Sequence, residues 1–417
     1  SKIIMFGTSA LREASNSNVL VESIREKTNV DVDIISGEKE ALYAAQGILL
    51  GFPNAEGVIC DIGGNSVEFA NIRKNVVTEC NSVMLGPLTI KNLGEKCKNL
   101  DDHMKNQLAN ITNFKGVKNK SFFLIGGSWR AIAKIHMQRI KYPLKIIQGY
   151  KVESKKLKKT LEFIQGSSFL TKSDEMNISL GRLELLPQAA RLLEIIIDEF
   201  QIKVLTFSSF GVREGLIYEH LSAAEKKRDP LIEAAKFFEK KETRFPKISK
   251  HTFNWMSPLY ENLPPKTKRV ILAATKLHDI AWIAHPDYKM EMCLEIVTRS
   301  NISGISHKER VFLAMILLFR HKAKPEKIFK SKLFKIVPKK KRKIALVIGK
   351  GLRLASTFFG EKSLLDKIEF RLRANEVDLC FQSKLDSING EIVEKRIQEL
   401  NKALKTCVTV DIEKKKF

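Results

Sequence analysis

The sequence is short of several things, and each shortage excludes a class of protein. Only six of its 417 residues are cysteine, and Cys60, Cys80, Cys97, Cys293, Cys380 and Cys407 are scattered without a C-x-x-C pair. That excludes a disulfide-stapled secreted scaffold and the common zinc spacings, and it reads as reduced thiols. The longest unbroken apolar run, residues 311–319, falls far below the ~20 residues that a membrane-spanning helix needs. Aromatics are 8% of the chain and form no RNA-recognition signature. No G-x-x-x-x-G-K-[ST] string occurs, so a P-loop is not supported. No cleavable leader opens the sequence; Ser1 runs straight into the apolar stretch Ile3-Ile4-Met5-Phe6, as if the chain begins inside a domain.

Acids are also scarce relative to bases: 72 Lys+Arg against 47 Asp+Glu leave +25. With 44% hydrophobic and 29% charged residues the composition is that of a globular protein. A single core stops growing near roughly 250–300 residues, which predicts two to four domains.

The first half alternates short apolar runs with helical periods, the pattern of an α/β domain with a buried sheet. Residues 30–35 predict a strand ending at Ser36-Gly37, and 38–50 a helix; 57–62 predict a buried strand, with extended chain resuming over 67–70. Two units repeat one theme: strand 122–125 meets Gly126-Gly127 and a helix over 128–140, and strand 204–207 meets Ser208-Ser209 and a helix through 215–218. After about Asp229-Pro230 the pattern becomes helical up to about Lys343, with breaks at Pro246, Pro258, Pro264-Pro265 and Pro286. From 344 the chain reads as a small α+β unit: a helix, strands over 367–372 and 376–382, a helix over 391–404 and a last strand over 407–412. The basic runs 339–343 and 414–416 fall at an apparent linker and at the end of the sequence, where solvated charge is the plain reading.

The most informative segment is Asp61-Ile62-Gly63-Gly64-Asn65-Ser66-Val67-Glu68. An acid closes a buried strand, a Gly-rich turn follows, and a second acid lies seven positions on. Gly63 and Gly64 let backbone N–H groups approach a phosphate, and Asn65 and Ser66 complete the turn. Asp61 and Glu68 could hold a hard cation such as Mg²⁺; a tight hairpin with solvated acids is the alternative. Gly126-Gly127 at a strand-to-helix junction is a second anion site in principle. Arg12 and Arg213 suit bidentate phosphate contacts or ordinary ion pairs. Glu38 and Glu40 fall in a first helical turn, where the dipole favours the ionised form able to orient or deprotonate water.

Together, the strings Gly7-Thr-Ser-Ala-Leu-Arg-Glu-Ala-Ser-Asn16, Ile35-Ser-Gly-Glu-Lys-Glu-Ala41, Ile59-Cys-Asp-Ile-Gly-Gly-Asn-Ser-Val-Glu68, Leu124-Ile-Gly-Gly-Ser-Trp-Arg-Ala-Ile-Ala133 and Ser209-Phe-Gly-Val-Arg-Glu-Gly-Leu-Ile-Tyr218 resemble, in order and spacing, the exopolyphosphatase / guanosine-pentaphosphate phosphohydrolase family of the actin and sugar-kinase superfamily. The resemblance implies α/β actin-like (ribonuclease H-like) domains, an all-α HD-like domain and a small C-terminal α+β domain. In numbers these are 1–50 for the remainder of a first actin-like domain, 51–226 for the second, 227–343 for the HD-like domain and 344–417 for the last. It also implies a Mg²⁺-dependent, cytoplasmic, often dimeric hydrolase of terminal phosphoanhydrides. Position by position, Glu40 matches the water-activating base, Asp61 and Glu68 the metal and catalytic acids, Gly63 to Ser66 the second phosphate loop, and Arg12 a phosphate-binding arginine. Gly126 and Gly127 match the segment that binds adenosine in superfamily relatives.

Two departures stand out. Asn65 replaces a usual third glycine, which asparagine's tolerance of positive φ would allow. The upstream strand–loop–strand with the first phosphate loop is absent, so a longer natural chain with a truncated first domain is expected. The pair His278-Asp279 resembles the core of HD-type metal phosphohydrolases, with His251, His285, Asp287, His307 and His321 nearby in sequence; buried structural histidines are the alternative. A basic surface would concentrate a linear polyanion, and inorganic polyphosphate is the expected substrate. Guanosine pentaphosphate is the second reading, and a non-catalytic polyphosphate-binding or regulatory protein the third. No zinc-finger or RNA-recognition pattern supports nucleic acid as the partner.

Overall fold

The structure, a computed structural model, describes residues 3–94, 99–111, 121–166, 169, 178–321, 324–359, 362–373, 376–381 and 390–413, with backbone alone at 362, 363 and 406–413. Cys97, Gln382, the Cys407 side chain and the basic run 414–416 lie outside the described residues. The chain divides into two compact units, Ser1–Lys227 and Arg228–Phe417.

The first unit is α/β. A parallel pair, β1 (Met5–Gly7) and β2 (Val32–Ile34), accompanies a six-stranded sheet of β3 (Gly57–Ile62), β4 (Val67–Arg73), β5 (Val76–Val83), β6 (Ser121–Gly126), β7 (Tyr150–Glu153) and β8 (Val204–Phe207). The order is β5-β4-β3-β6-β8-β7, with β3, β6 and β8 parallel and β4, β5 and β7 completing it antiparallel. Lys74 and Asn75 both take positive φ, 49° and 63°, the backbone that a two-residue turn between twisted strands requires.

Side-chain alternation sorts the two faces of this sheet. Val58, Cys60, Ile62, Val67, Phe69, Phe122 and Leu124 point into the larger core, shared with the helices Gly127–Arg139, Ser154–Gln165 and Leu186–Glu199. Ile59, Ala70, Ile72, Phe123 and Ile125 point to the other face, covered by the helix Gly37–Gly51 through Ala41, Ala44, Ala45, Ile48 and Leu49. That helix lies backbone-to-backbone on the helix Val212–Glu219. A Cβ at Gly47 would sit 2.2 Å from the Gly211 carbonyl oxygen, and one at Gly215 only 1.7 Å from that of Tyr43.

The second unit is helix-rich, and its prolines mostly open helices: Pro230, Pro265 and Pro325 begin Pro230–Glu242, Pro265–Lys276 and Pro325–Lys330. Proline's fixed φ suits a first turn, whose N–H groups lack partners anyway. The helix His307–Arg320 is buried nearly throughout; even Arg310 is 1% exposed, its Nη1 donating to the carbonyls of Val297 and Ser300 and its Nη2 to that of Ile302, while its Nε has no hydrogen-bond partner among the described residues. β9 (Ile368–Arg373) and β10 (Glu376–Phe381), close to the two strands that the sequence predicts over 367–372 and 376–382, pair antiparallel.

The expected domain break at 50/51 falls at the end of the helix Gly37–Gly51, whose apolar face packs on the following sheet. Two expectations about the second unit are corrected. The break at 343/344 falls inside the helix Lys339–Ala355; the basic run is its first turns, since Lys and Arg are good helix formers behind Pro338 at the N-cap. The last strand is instead the end of the helix Glu391–Glu413, because extending a formed helix is easier than nucleating a lone strand.

Candidate functional site

The site grows from one face of the six-stranded sheet. Asp61 on β3 and Glu68 on β4 are register partners, so their side chains emerge side by side on the face covered by the helix Gly37–Gly51. Ser82 on β5 is the register partner of Glu68, and its hydroxyl donates to Glu68 Oε1 at 3.0 Å. Ser36 caps the covering helix by accepting from the Lys39 N–H at 3.2 Å, which places Glu40 in the first turn. Gly37 allows this approach: a Cβ there would lie 2.4 Å from that of Ser82.

Arg12 reaches in from the short helix Ser9–Glu13. Its Nη1 donates to the Ile35 carbonyl at 2.6 Å and stands 3.6 Å from Glu40 Oε2. Glu40, Asp61 and Glu68 are all buried, and Oε2 of Glu40 and of Glu68 have no hydrogen-bond partner among the described residues.

This assembly has too much potential negative charge for its surroundings. Burial pushes Asp61 up to about 7, with Glu40 adding to the rise and Arg130 opposing it. Glu68 is pushed to about 8, first by burial and then by Glu40, against the Ser66 and Ser82 hydroxyls. Burial also raises Glu40, with Arg12 holding it back. Two buried acids pushed up toward neutrality, Glu68 with an orphaned oxygen, are a donor set for a hard cation. Among the described residues no three His, Cys, Asp or Glu side chains converge as a ready-made metal cage.

The Gly-rich turn adjoins the acids. Gly63 N–H donates to the Ser66 carbonyl at 3.0 Å, and the turn is strapped to the next segment by Gly86 N–H to the Asn65 carbonyl, Leu88 N–H to the Gly64 carbonyl and the Thr89 hydroxyl to the Asn65 carbonyl. These bonds use carbonyls; among the described residues no hydrogen bond takes up the N–H groups of Gly64, Asn65 and Ser66. A Cβ at Gly64 would meet nothing within 4 Å. Asn65 does not take positive φ, so its replacement of glycine needs no left-handed backbone. Gly126 does: its φ is 109°, and a Cβ there would lie 2.5 Å from the Ile62 carbonyl and 3.0 Å from Asp61 Oδ1.

The structure thus brings Glu40, Asp61, Glu68, Arg12, Gly63 to Ser66 and Gly126 together. Gly127 lies against the Arg182 guanidinium, within 3.0 Å of a Cβ built there. Arg213 is exposed near the start of its helix, and among the described residues it makes no ion pair with the acids. Sequence reasoning missed Ser82, Arg130 and Arg182. Strand parity from Glu68 would have found Ser82 once the β4–β5 register was known. Arg130 lies one helical turn after Gly126 and donates Nε–H to its carbonyl at 3.2 Å; Arg182 left no local signal.

In the second unit the His278-Asp279 pair is committed elsewhere. Asp279 takes a bidentate contact from Arg244, at 2.7 and 2.9 Å, and a longer one from Arg320 at 3.5 Å. His278 Nδ1 meets the Thr275 carbonyl at 2.8 Å, and the ring packs edge-on against Phe359. A carboxylate held by two arginines is a poor cation ligand, so the metal reading of this pair is not supported.

Two family models match: one described as Ppx/GppA phosphatase family over residues 1–224, the other as exopolyphosphatase, C-terminal, over 264–408. A guanosine-5'-triphosphate,3'-diphosphate pyrophosphatase of Aeromonas hydrophila is 23% identical over 330 residues, covering 76% of this chain and 65% of the relative. Retrograde regulation protein 2 of Saccharomyces cerevisiae is 22% identical over 357 residues, covering 77% and 59%. The chain therefore spans less than two thirds of these relatives. A crystal structure of an exopolyphosphatase from Cytophaga hutchinsonii is 21% identical, with a TM-score of 0.47 over 52% of this chain and 74% of that one.

Proposed function

The chain belongs to the Ppx/GppA phosphatase family, and on that premise we propose that it is an exopolyphosphatase of actin-like fold, a cytoplasmic homodimer that releases terminal phosphate from inorganic polyphosphate with Mg²⁺. The observation that carries this reading is the buried trio of Glu40, Asp61 and Glu68 beside a Gly-rich turn with free N–H groups. Phosphoryl transfer needs little covalent help; it needs in-line water, charge neutralisation and positioning.

Each group then has a task. Arg12 and the N–H groups of the Gly64–Ser66 turn bind the terminal phosphate, and Gly126 leaves room for the chain beside Asp61. Glu40, raised by burial yet steadied by Arg12, holds a water and takes its proton as the new O–P bond forms and the bridging P–O bond breaks. The severed chain end leaves with the bridging oxygen, and phosphate carries the water oxygen. Asp61 and Glu68 are the residues that would hold Mg²⁺, which when bound supplies charge neutralisation at the phosphate oxygens. Ser82 fixes the Glu68 carboxyl through the 3.0 Å hydrogen bond.

The experiment is phosphate release from long-chain polyphosphate by the wild-type protein and by Glu40→Gln. The variant should lose about 10²–10⁴-fold in kcat while still binding polyphosphate. Comparable turnover by both proteins would refute the assignment of the base. The name of the Aeromonas relative favours guanosine pentaphosphate as a second substrate. Mutual competitive inhibition would place both substrates in one site, and release from the nucleotide alone would reverse the preference.

A further inference from the structure

The helix-rich unit holds a cavity of about 500 Å³ that the hydrolysis does not use. Its polar lining is Ser356 with the bases Arg244, Lys289, Arg320, His321, Arg353 and Arg396, and no acid lines it among the described residues. Phe245, Met290 and Phe359 supply an apolar wall.

The arginines are held in place by backbone as much as by carboxylates. Arg320 ends the helix His307–Arg320, Arg353 sits in the last turn of Lys339–Ala355, and Arg396 belongs to Glu391–Glu413. Arg396 Nη1 donates to the Arg353 carbonyl at 3.2 Å and to the Thr357 hydroxyl at 2.6 Å, while Arg353 Nη1 donates to the Arg320 carbonyl at 3.4 Å. Nε of Arg320 and of Arg353 have no hydrogen-bond partner among the described residues.

Two acids stand behind this cluster. Asp279 serves Arg244 and Arg320; Glu399 lies 3.7 Å from Arg353 and is also taken by Lys350 at 2.7 Å. Two acids thus face five lining cations and Lys350. Burial lowers Arg320 to about 10 with Arg244 and Arg353 adding to the fall, and burial likewise lowers Arg353 and Arg396. Arginines gathered this closely around a cavity, with only two acids behind them, lack an anion.

We propose that this cavity is a second anion site, binding a compact ligand with two or more adjacent phosphate groups. A single phosphate would leave much of the volume and most of the positive charge unmatched. Adjacent phosphates satisfy several guanidinium forks at once, as bidentate recognition favours. Two sources carry this chemistry, inorganic oligophosphate and a nucleoside diphosphate, whose base would use the Phe245–Phe359 wall. The site is independent of hydrolysis in the other unit.

The test is isothermal titration of the full chain with inorganic tripolyphosphate and, separately, with GDP. Wild type, Lys289→Glu, Arg396→Gln and Glu40→Gln are compared. Lys289 is half-buried at a helix start and makes no ion pair among the described residues, so its reversal spares the fold, and thermal unfolding verifies this. For at least one titrant, a binding event should survive Glu40→Gln and weaken about 10-fold or more in Lys289→Glu and Arg396→Gln, the loss expected for a charge-assisted contact. Response to tripolyphosphate alone assigns the inorganic source; tighter binding of GDP assigns the nucleotide. Absence of any such event in wild type, or affinities within two-fold of wild type in both folded cavity variants, overturns the proposal. Failure of Glu40→Gln to lose turnover bears on the catalytic base and leaves this result untouched.

Discussion

The two units bury charge clusters of opposite sign, and each cluster is left uncompensated. On the sheet face, three carboxyls meet chiefly Arg12 and Arg130, and the acids respond by holding protons, Glu68 up to about 8. Around the helical cavity, arginines outnumber acids, and it is the bases that are pressed toward losing protons, Arg320 down to about 10. A fold that needed charge only for its own stability would pair it internally. Leaving each cluster short of its counter-ion costs stability and, on the readings proposed above, suits one cluster to a cation and the other to an anion.

The same chemical change should therefore act in opposite directions. Asp279→Asn removes the acid that holds Arg244 and Arg320, and should destabilise the helical unit by about 3–5 kcal/mol, the usual result of orphaning a buried charge. Glu68→Gln removes a surplus acid and should stabilise the α/β unit at pH 8 without divalent metal, while abolishing turnover. Urea unfolding of both variants measures this, and a shared sign would break the comparison.

The pH dependence sharpens it. A carboxyl whose folded pKa is raised contributes stability below its unfolded pKa and loses it as pH rises through the folded value. For Asp61 and Glu68 that window runs from about 4 to about 8. Without metal, the α/β unit should weaken across it by several kcal/mol, since each carboxyl is raised by roughly three pKa units at about 1.4 kcal/mol each. Asp279 moves the other way: burial is outweighed by Arg244, His278 and Arg320, its carboxyl is lowered, and its contribution is lost only as pH falls into the acid range. Millimolar Mg²⁺ should flatten the first slope and leave the second alone; denaturant midpoints across pH, with and without Mg²⁺, check both. The smallest effect belongs to Arg213. Exposed and separate from the acids, it should lose less than about two-fold in kcat/KM as Arg213→Ala, whereas Arg12→Ala should lose about 10-fold or more. Equal losses would make Arg213 a substrate ligand.

Much of the first unit was legible because its strands are fully buried and read as plain apolar runs. The strand over 57–62 and the helix over 38–50 needed no tertiary information beyond a cap and a period. Asp61 and Glu68 were visible because a four-residue turn between adjacent strands forces their opposition. Ser82 was not, since its place depends on a register that shifts at Asn71 and Ile72. The arginine cavity was equally hidden. Arg244, Arg320, Arg353 and Arg396 sit in four unrelated local patterns, and only helix packing gathers them. The His278-Asp279 pair misled for the same reason, because what decides its chemistry is Arg244, thirty-five residues upstream of Asp279.

The crossing of the helices Gly37–Gly51 and Val212–Glu219 bears on how any mutational survey of this protein will read. Glu40 rides on a helix whose position is set by Gly47 and Gly215, where even one methyl group collides with backbone. In a saturation screen scored by activity, those glycines will be as intolerant as Glu40 and will pass for catalytic positions. Scoring the same library for protein abundance separates them, since Glu40→Gln should persist at full level while bulkier residues at 47 and 215 vanish from the pool.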